Sequence, residues 1–516
     1  MMIRAMVRRT GLCLFVLLTF AAASVATAQY GGGGYGGGGG YGGGGRSGGY
    51  GGGGGGYGNN RGGGGGYGNN RNGGGGYGNN NNNNSSRGSG AMPLSGILIQ
   101  PDGLLQRMPA NAALDEIRAA SAYQGIPSEM SAKSALRKVS LNRLEAAIKA
   151  NGGVVTEEMA HLAGLTRIEN VFFYPETNDI VIAGPAEGWQ PGVDGSTVGV
   201  TSQRPTLQLA DLVTALRAYP ANGPAAEKIG CSIDPTPEGL VSMKNFLQTE
   251  AKPSVDNQLE LTSYAEGIRD ALGDQTVSFW GVSPKTHFAA SLAAADYRMK
   301  LIGIGLEEAP VPMVTYIEKS TPMSMSRNAL VRWYFQPDYN CVVQSTDEMA
   351  IELVGDSVQL VGADELVTET GNRRESKGRM NKASKLFANS FTKQFSKIAE
   401  KVPVYAELRD LIDMSVVAAW IQKQGLYEKA GWSMDLFGSE EKFPVEVGSP
   451  IERAETAVNI VSHGSSTVSF PTGGGVLIEP ESALSAEHIQ SDTQGKVQKK
   501  YTEVGKAIPA DVWWWD

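Results

Sequence analysis

An α+β fold of mostly antiparallel hairpins and packed helices, preceded by a disordered glycine-rich arm, is what this sequence predicts. Three observations lead there. Residues 31–90 hold 35 of the 69 glycines, with tyrosine and asparagine as almost their only companions. From residue 92 onward, short apolar runs alternate with turns rich in proline and glycine. Between 377 and 423, apolar side chains return at helical spacing.

The first 28 residues have the layout of a secretory leader. Arg4, Arg8 and Arg9 form a basic start, residues 11–23 a short apolar run, and Ala26-Thr27-Ala28 the small-x-small pattern that signal peptidase accepts. The apolar run falls short of the roughly 20 residues a bilayer-spanning helix needs. A secreted, periplasmic or cell-envelope location in a bacterium is therefore expected, with no transmembrane helix once the leader is removed.

Residues 29–90 form the arm. Tyr57-Gly58-Asn59-Asn60 returns at Tyr67 and again at Tyr77, a ten-residue period. Such a segment has no aliphatic surface to bury and loses the most backbone entropy on ordering, so disorder is expected. As a Gly-rich coil, the 60 residues at 31–90 would reach roughly 45 Å. It reads as a plain spacer, as a tether carrying spaced aromatic contacts, or, through Arg61-Gly62-Gly63, as a tail of RNA-binding type. Export argues against the last.

Net charge tells the same story. The first 90 residues carry seven arginines and no acid, leaving 38 basic against 53 acidic side chains in the body, a net of −15. An acidic body repels phosphate backbones, so no nucleic-acid partner is expected. Past the leader only Cys231 and Cys341 remain, either a cystine or two buried thiols.

The body divides into an α+β section at 91–370, a helical segment at 371–440 packed on it, closing strands at 441–490, and a tail at 491–516 with a tryptophan cluster. Residues 97–100 and 104–105, joined by Pro101-Asp102-Gly103, predict a hairpin, as do 167–174 and 179–183 around Pro175-Glu176-Thr177-Asn178. Helices are expected at 112–124, 141–150, 207–218, 237–250, 257–272 and 285–299, a strand at 277–281, and short strands between 300 and 362. Ser140 opens the second helix and Asn151-Gly152-Gly153 stops it. The pattern Gly96…Pro101 returns at Gly230…Pro235 and Gly475…Pro480, and its second half at Phe173-Tyr174-Pro175 and Phe335-Gln336-Pro337. Proline pre-sets φ for a turn, so each reads as a strand-ending turn.

Residues 372–401 form a basic island of nine Lys or Arg against Glu375 and Glu400. Phe387, Phe391, Phe395 and Ile398 fall on one helical face, predicting an aromatic stripe against the core with lysines outward, either as a solvated face or as a contact for a membrane or an anionic polymer. In the following helix Glu407, Arg409, Asp410 and Asp413 forbid a membrane span. Trp513-Trp514-Trp515 suggests either contact with a partner or a tail folded back on its own body.

Motifs of known chemistry are scarce. His161, His287, His463 and His488 show no zinc spacing; Glu158 and His161 stand at i, i+3, and surface placement is expected for them. Gly303-Ile304-Gly305 lacks a third glycine, Gly473-Gly474-Gly475 precedes a strand, and Ser390-Phe391-Thr392-Lys393 lacks its partner motifs. No cofactor and no metal are expected. The candidate catalytic residues are His287, Ser291 and Arg298, which share one face of a helix: a general base beside an anion-binding arginine.

Residues 178–189 (NDIVIAGPAEGW), the stretch 286–307 and residues 425–432 (GLYEKAGW) resemble an uncharacterised family of exported planctomycete proteins, known only as a domain of unknown function. The resemblance spans about residues 95–485. It implies a cell-envelope or extracellular setting and assigns no residue a role.

Two functions remain in view. One is an exported interaction or structural protein, with a surface, polysaccharide or protein partner and a flexible Gly/Tyr-rich tether. The other is a secreted hydrolase using the His287 region. Both require export, and the mature protein is expected to begin at Gln29. Mass spectrometry of the natural product checks this, and Met1 retained in a cytosolic fraction overturns it.

Overall fold

The computed structural model describes residues 92–94, 97–107, 129–192, 196–321, 329–367, 373–375, 381–463, 466–469 and 472–516. The leader, the arm and the helix expected at 112–124 lie outside the described residues. The described residues form one compact unit.

Its longer helices are α1 (Leu141–Ala150), α2 (Leu209–Ala218), α3 (Pro237–Thr249), α4 (Gln258–Leu272), α5 (His287–Gly303), α6 (Lys382–Lys401), α7 (Pro403–Lys423) and α8 (Lys496–Gly505). Local chemistry explains their ends. Ser140 Oγ accepts from Arg143 N at the start of α1, and Thr236 caps α3 ahead of a proline in its first turn. Helix α6 runs into Val402, where Pro403 ends it and opens α7.

Two sheets carry most strands, beside two-stranded pairs at 189–191 with 197–199 and 460–463 with 466–469. In spatial order the larger comprises Met92–Leu94, Ile97–Ile99, Leu104–Arg107, Arg453–Ala454, Gln275–Trp280, Ile229–Asp234, Thr472–Ile478, Ala329–Pro337, Val358–Val367 and Arg373–Glu375. The smaller comprises Gln490–Ser491, Val342–Gln344, Ala350–Leu353, Asn170–Tyr174, Asp179–Ala186, Ser134–Ser140 and Trp514–Trp515. Most pairs are antiparallel. The parallel ones join 329–337 to 472–478, 104–105 to 453–454 and 343–344 to 490–491. The α+β expectation holds, and both expected hairpins are present as antiparallel pairs.

Each proline-marked pattern does end a strand: Ile97–Ile99, Ile229–Asp234, Thr472–Ile478, Asn170–Tyr174 and Ala329–Pro337. Three corrections follow. Helix α5 starts two residues later than expected and runs to Gly303. Between 300 and 362 the strands are not all short, since Ala329–Pro337 has nine residues and Val358–Val367 has ten. Gly473–Gly475 lie inside a strand, not before one. That strand, from the expected closing section, sits in mid-sheet between Ile229–Asp234 and Ala329–Pro337. Gly474 has φ +134°, and a Cβ there would stand 1.9 Å from the Trp333 carbonyl oxygen, so only glycine fits.

Helix α5 lies across strands Ile229–Asp234 and Thr472–Ile478, with α7 against it. The aromatic stripe of α6 is buried as expected: Phe391 meets Phe335 and Tyr405 edge-on, and Phe387 meets Trp333. Acids of the smaller sheet and of α1 tie down the remaining phrases. Asp179, wholly buried, accepts from Ser140 Oγ (2.7 Å) and Arg143 Nε (2.7 Å). Glu145 accepts from Trp432 Nε1 (2.6 Å) and from the backbone N–H of Leu436 and Phe437.

The tryptophan segment folds back on the body. Trp514 and Trp515 add a strand to the edge Ser134–Ser140, and Trp515 is buried. Asp516 accepts two hydrogen bonds, 2.8 and 2.9 Å, from Arg137, whose side chain has no exposed surface and lies under the Trp514 ring. Losing that carboxylate would take two charge-assisted hydrogen bonds from a buried guanidinium, and because Asp516 is itself 43 % exposed the loss is about 1–3 kcal/mol. Deleting residues 513–516 is therefore expected to lower stability by at least about 1 kcal/mol in urea unfolding. A change under about 0.5 kcal/mol, the range of ordinary surface changes, would refute the anchoring role.

Candidate functional site

Helix α5 carries all three candidate residues, and its start is built by a cap. Thr286 Oγ1 accepts from Ala289 N (3.2 Å) and donates to Ser283 O (2.8 Å). Glu446 fastens the preceding loop, accepting from Ser283 Oγ (2.7 Å) and pairing with Lys285 (3.4 Å). Downstream, alanine at 289, 290 and 293–295 lets α5 pack closely, and all five are buried.

The shared helical face is real, but each residue on it meets a different acid. His287 Nδ1 lies 2.9 and 3.1 Å from the carboxylate oxygens of Asp211 on α2. Ser291 Oγ is 3.4 Å from Glu407 Oε2 on α7, a long hydrogen bond. Arg298 reaches Glu307, just beyond the helix, through Nη2 at 2.7 Å and Nε at 3.1 Å. Of two hollows described, one of about 330 Å³ lies between α6 and strand Val358–Val367, and one of about 400 Å³ lies beside Glu187 and Arg204. Neither is lined by His287, Ser291 or Arg298.

Electrostatics bear on the role of His287. Burial opposes its charged form, yet the Asp211 carboxylate, helped by Glu407, outweighs burial and raises its pKa to about 9. The imidazole is thus a cation at neutral pH, held by an acid, and is not a free base.

Two residues beyond Arg298, Lys300 Nζ donates to Asp296, one helical turn back (2.7 Å), and to Ile233 O (3.0 Å), both side chains sealed from solvent. Burial raises the Asp296 carboxyl to about 6 despite Lys300, and Asp296 Oδ1 has no hydrogen-bond partner. On the neighbouring strands, Arg332 pairs with Asp234 at 2.8 Å.

Other expectations resolve as follows. Cys231 and Cys341 are both free and buried, and burial pushes their thiols up, Cys341 to about 12. His161 is not a surface residue. It is 8 % exposed, tilted against Trp189, and 3.5 Å from Glu157 instead of Glu158. Ser390 Oγ accepts from Val314 N, a structural bond inside the S-x-x-K match. Among the described residues, no group of three or more His, Cys, Asp or Glu could hold a metal ion, and no helix is long and apolar enough to cross a membrane.

Sequence reasoning missed the acids that answer the candidate face: Asp211, Glu407 and Glu307. Asp211 is an acid inside the apolar helix at 209–218, and nothing local shows which distant helix it meets.

Residues 231–316 match the model of a family described as a protein of unknown function, DUF1598. The chain thus carries a domain of unknown function. The matched stretch begins in strand Ile229–Asp234 and includes all of α5, so the three candidates and the 286–307 resemblance lie within it. Residues 178–189 and 425–432 lie outside it. No curated protein and no solved structure matches the chain.

The His287–Asp211 contact predicts a pH dependence. A histidine whose folded pKa exceeds its ordinary 6.5 contributes stability that is fully present below pH 6.5 and lost as pH rises through about 9. The stability gap between the unaltered protein and His287→Gln should therefore narrow by about 2 kcal/mol from pH 6 to pH 10 in urea titrations. A gap independent of pH would show that the pair is not charged.

Proposed function

We propose that this chain is an exported cell-envelope or extracellular interaction protein, tethered by its Gly/Tyr-rich arm. The observation carrying this reading is how α5 uses its polar side chains: His287, Ser291 and Arg298 each hold an acid of their own body. His287 and Ser291 thereby join α5 to α2 and α7, and Arg298 ties it to the loop beyond its end. The leader-like start and the repeated Tyr-Gly-Asn-Asn segment supply the address and the tether.

The rival, a secreted hydrolase built around His287, requires a base, an anion site and a hollow in one place. An imidazole raised to about 9 and carboxylates on three separate elements weigh against it.

The tether has a direct test. Deleting residues 31–90 while keeping the leader and body should release most of the protein from cells into the medium, measured by fractionation and immunoblot. Retention equal to that of the full chain would overturn the tethering role.

A further inference from the structure

We infer that the outward face of α6 and the groove beside it bind a linear anionic polysaccharide. With its aromatic stripe committed to the core, α6 has no apolar face left to enter a membrane. What it turns outward is a row of lysines: Lys382, Lys385, Lys393 and Lys397 are all exposed. Among the described residues, none of these four side chains forms an ion pair or hydrogen bond, in a body whose net charge is −15. The buried or half-buried cations Arg298, Lys300 and Arg332, by contrast, are answered by Glu307, Asp296 and Asp234.

The row borders a groove of about 330 Å³, at the lower end of ligand-site size. Lys385, Asn389 and Lys393 form one wall and the strand at Gln359–Gly362 the other, with Thr392 Oγ1 joining them through Leu360 N (2.9 Å). At 1.5 Å rise per residue, Lys385 and Lys397 stand about 18 Å apart along the helix, so the cations form a line and not a point. An extended chain with its charges spaced by sugar units suits that line. Asn389 between the lysines offers hydrogen bonds to hydroxyls, and exposed Leu386 offers an apolar contact for a sugar face. Duplex DNA, with a charge every 1.7 Å or so, would bring far more negative charge against the acidic surroundings than four lysines answer.

This inference rests on the exported-interaction reading only for where such a polymer is met. Binding itself is measurable on the purified chain without its leader. Alginate, a polyuronate, is the probe, with neutral dextran and single-stranded DNA beside it, titrated by calorimetry at low salt and at about 0.15 M. Alginate is expected to bind, dextran not, and salt to weaken the affinity. Lys385→Gln/Lys393→Gln/Lys397→Gln should weaken alginate at least tenfold, while the corresponding Arg substitutions retain it. Three exposed lysines elsewhere, changed as Lys252→Gln/Lys442→Gln/Lys499→Gln, should leave it within twofold. Absence of alginate binding, equal losses in both glutamine variants, or DNA bound as tightly as alginate through the same lysines would each overturn the inference. A chain that fails here yet still needs residues 31–90 for retention loses the groove and keeps the tether. The converse result does the opposite.

Discussion

Helix α7 has almost no solvent face, and the body is arranged around that constraint. From Val404 to Ile421 nearly every side chain is buried, including Arg409, Asp410 and Asp413. Helices α2, α5 and α6 and the short turns Leu426–Lys429 and Pro480–Ala483 all lie against it. A charge taken from water costs several kcal/mol unless it is met inside, so the surrounding elements must bring counter-charges as well as apolar surface. Arg409 meets Asp410 (3.1 Å), and Arg167, from beside the smaller sheet, meets Asp413 (3.2 Å). Burial, with the nearby Asp413 carboxylate, raises Asp410 to about 7 although Arg409 and Arg167 oppose it. The smaller sheet is thus joined to the helical layer by charge.

Helix α5 repeats this logic one layer inward. Its alanines give a smooth surface on which a few long polar side chains reach out to α2, α7 and the strand below. A face holding histidine, serine and arginine resembles catalytic machinery when only its own helix is visible. Once the neighbouring acids are in place, the same face fastens three helices to one another. What separates the two uses is whether the side chains converge on a shared space, and here they diverge.

Features settled by neighbours in sequence were legible before the structure. Ser140 and Thr236 cap helices because their hydroxyls sit next to the free N–H groups. Proline ends strands wherever it follows an apolar run, and Phe387, Phe391, Phe395 and Ile398 are buried because their spacing leaves them one common face. Features settled across long separations were not legible. Strand 472–478 reads as a late addition, yet it fills mid-sheet, where Gly474 admits the Trp333 carbonyl. The tryptophans offered two readings of equal weight because nothing near them in sequence names Arg137, some 380 residues away. Asp211, likewise, could not announce His287. The fold class and most helices were therefore readable, whereas the role of the candidate site depended on contacts that only the assembled chain supplies.

Charge placement then limits where partners can act. Ion pairs inside the body neutralise one another locally and project little field outward. The excess of acids gives the remaining surface a negative potential that resists dense polyanions. A basic row in such surroundings is self-limiting: its field is strong at contact and is cancelled by the acidic surface within about a Debye length, roughly 8 Å at physiological salt. Sparsely charged chains that lie close along α6 feel the lysines, while bulkier polyanions feel the whole body. The helix that locks its aromatic side into the core thus presents its opposite side as a shallow, selective contact, and one amphipathic pattern serves both folding and recognition.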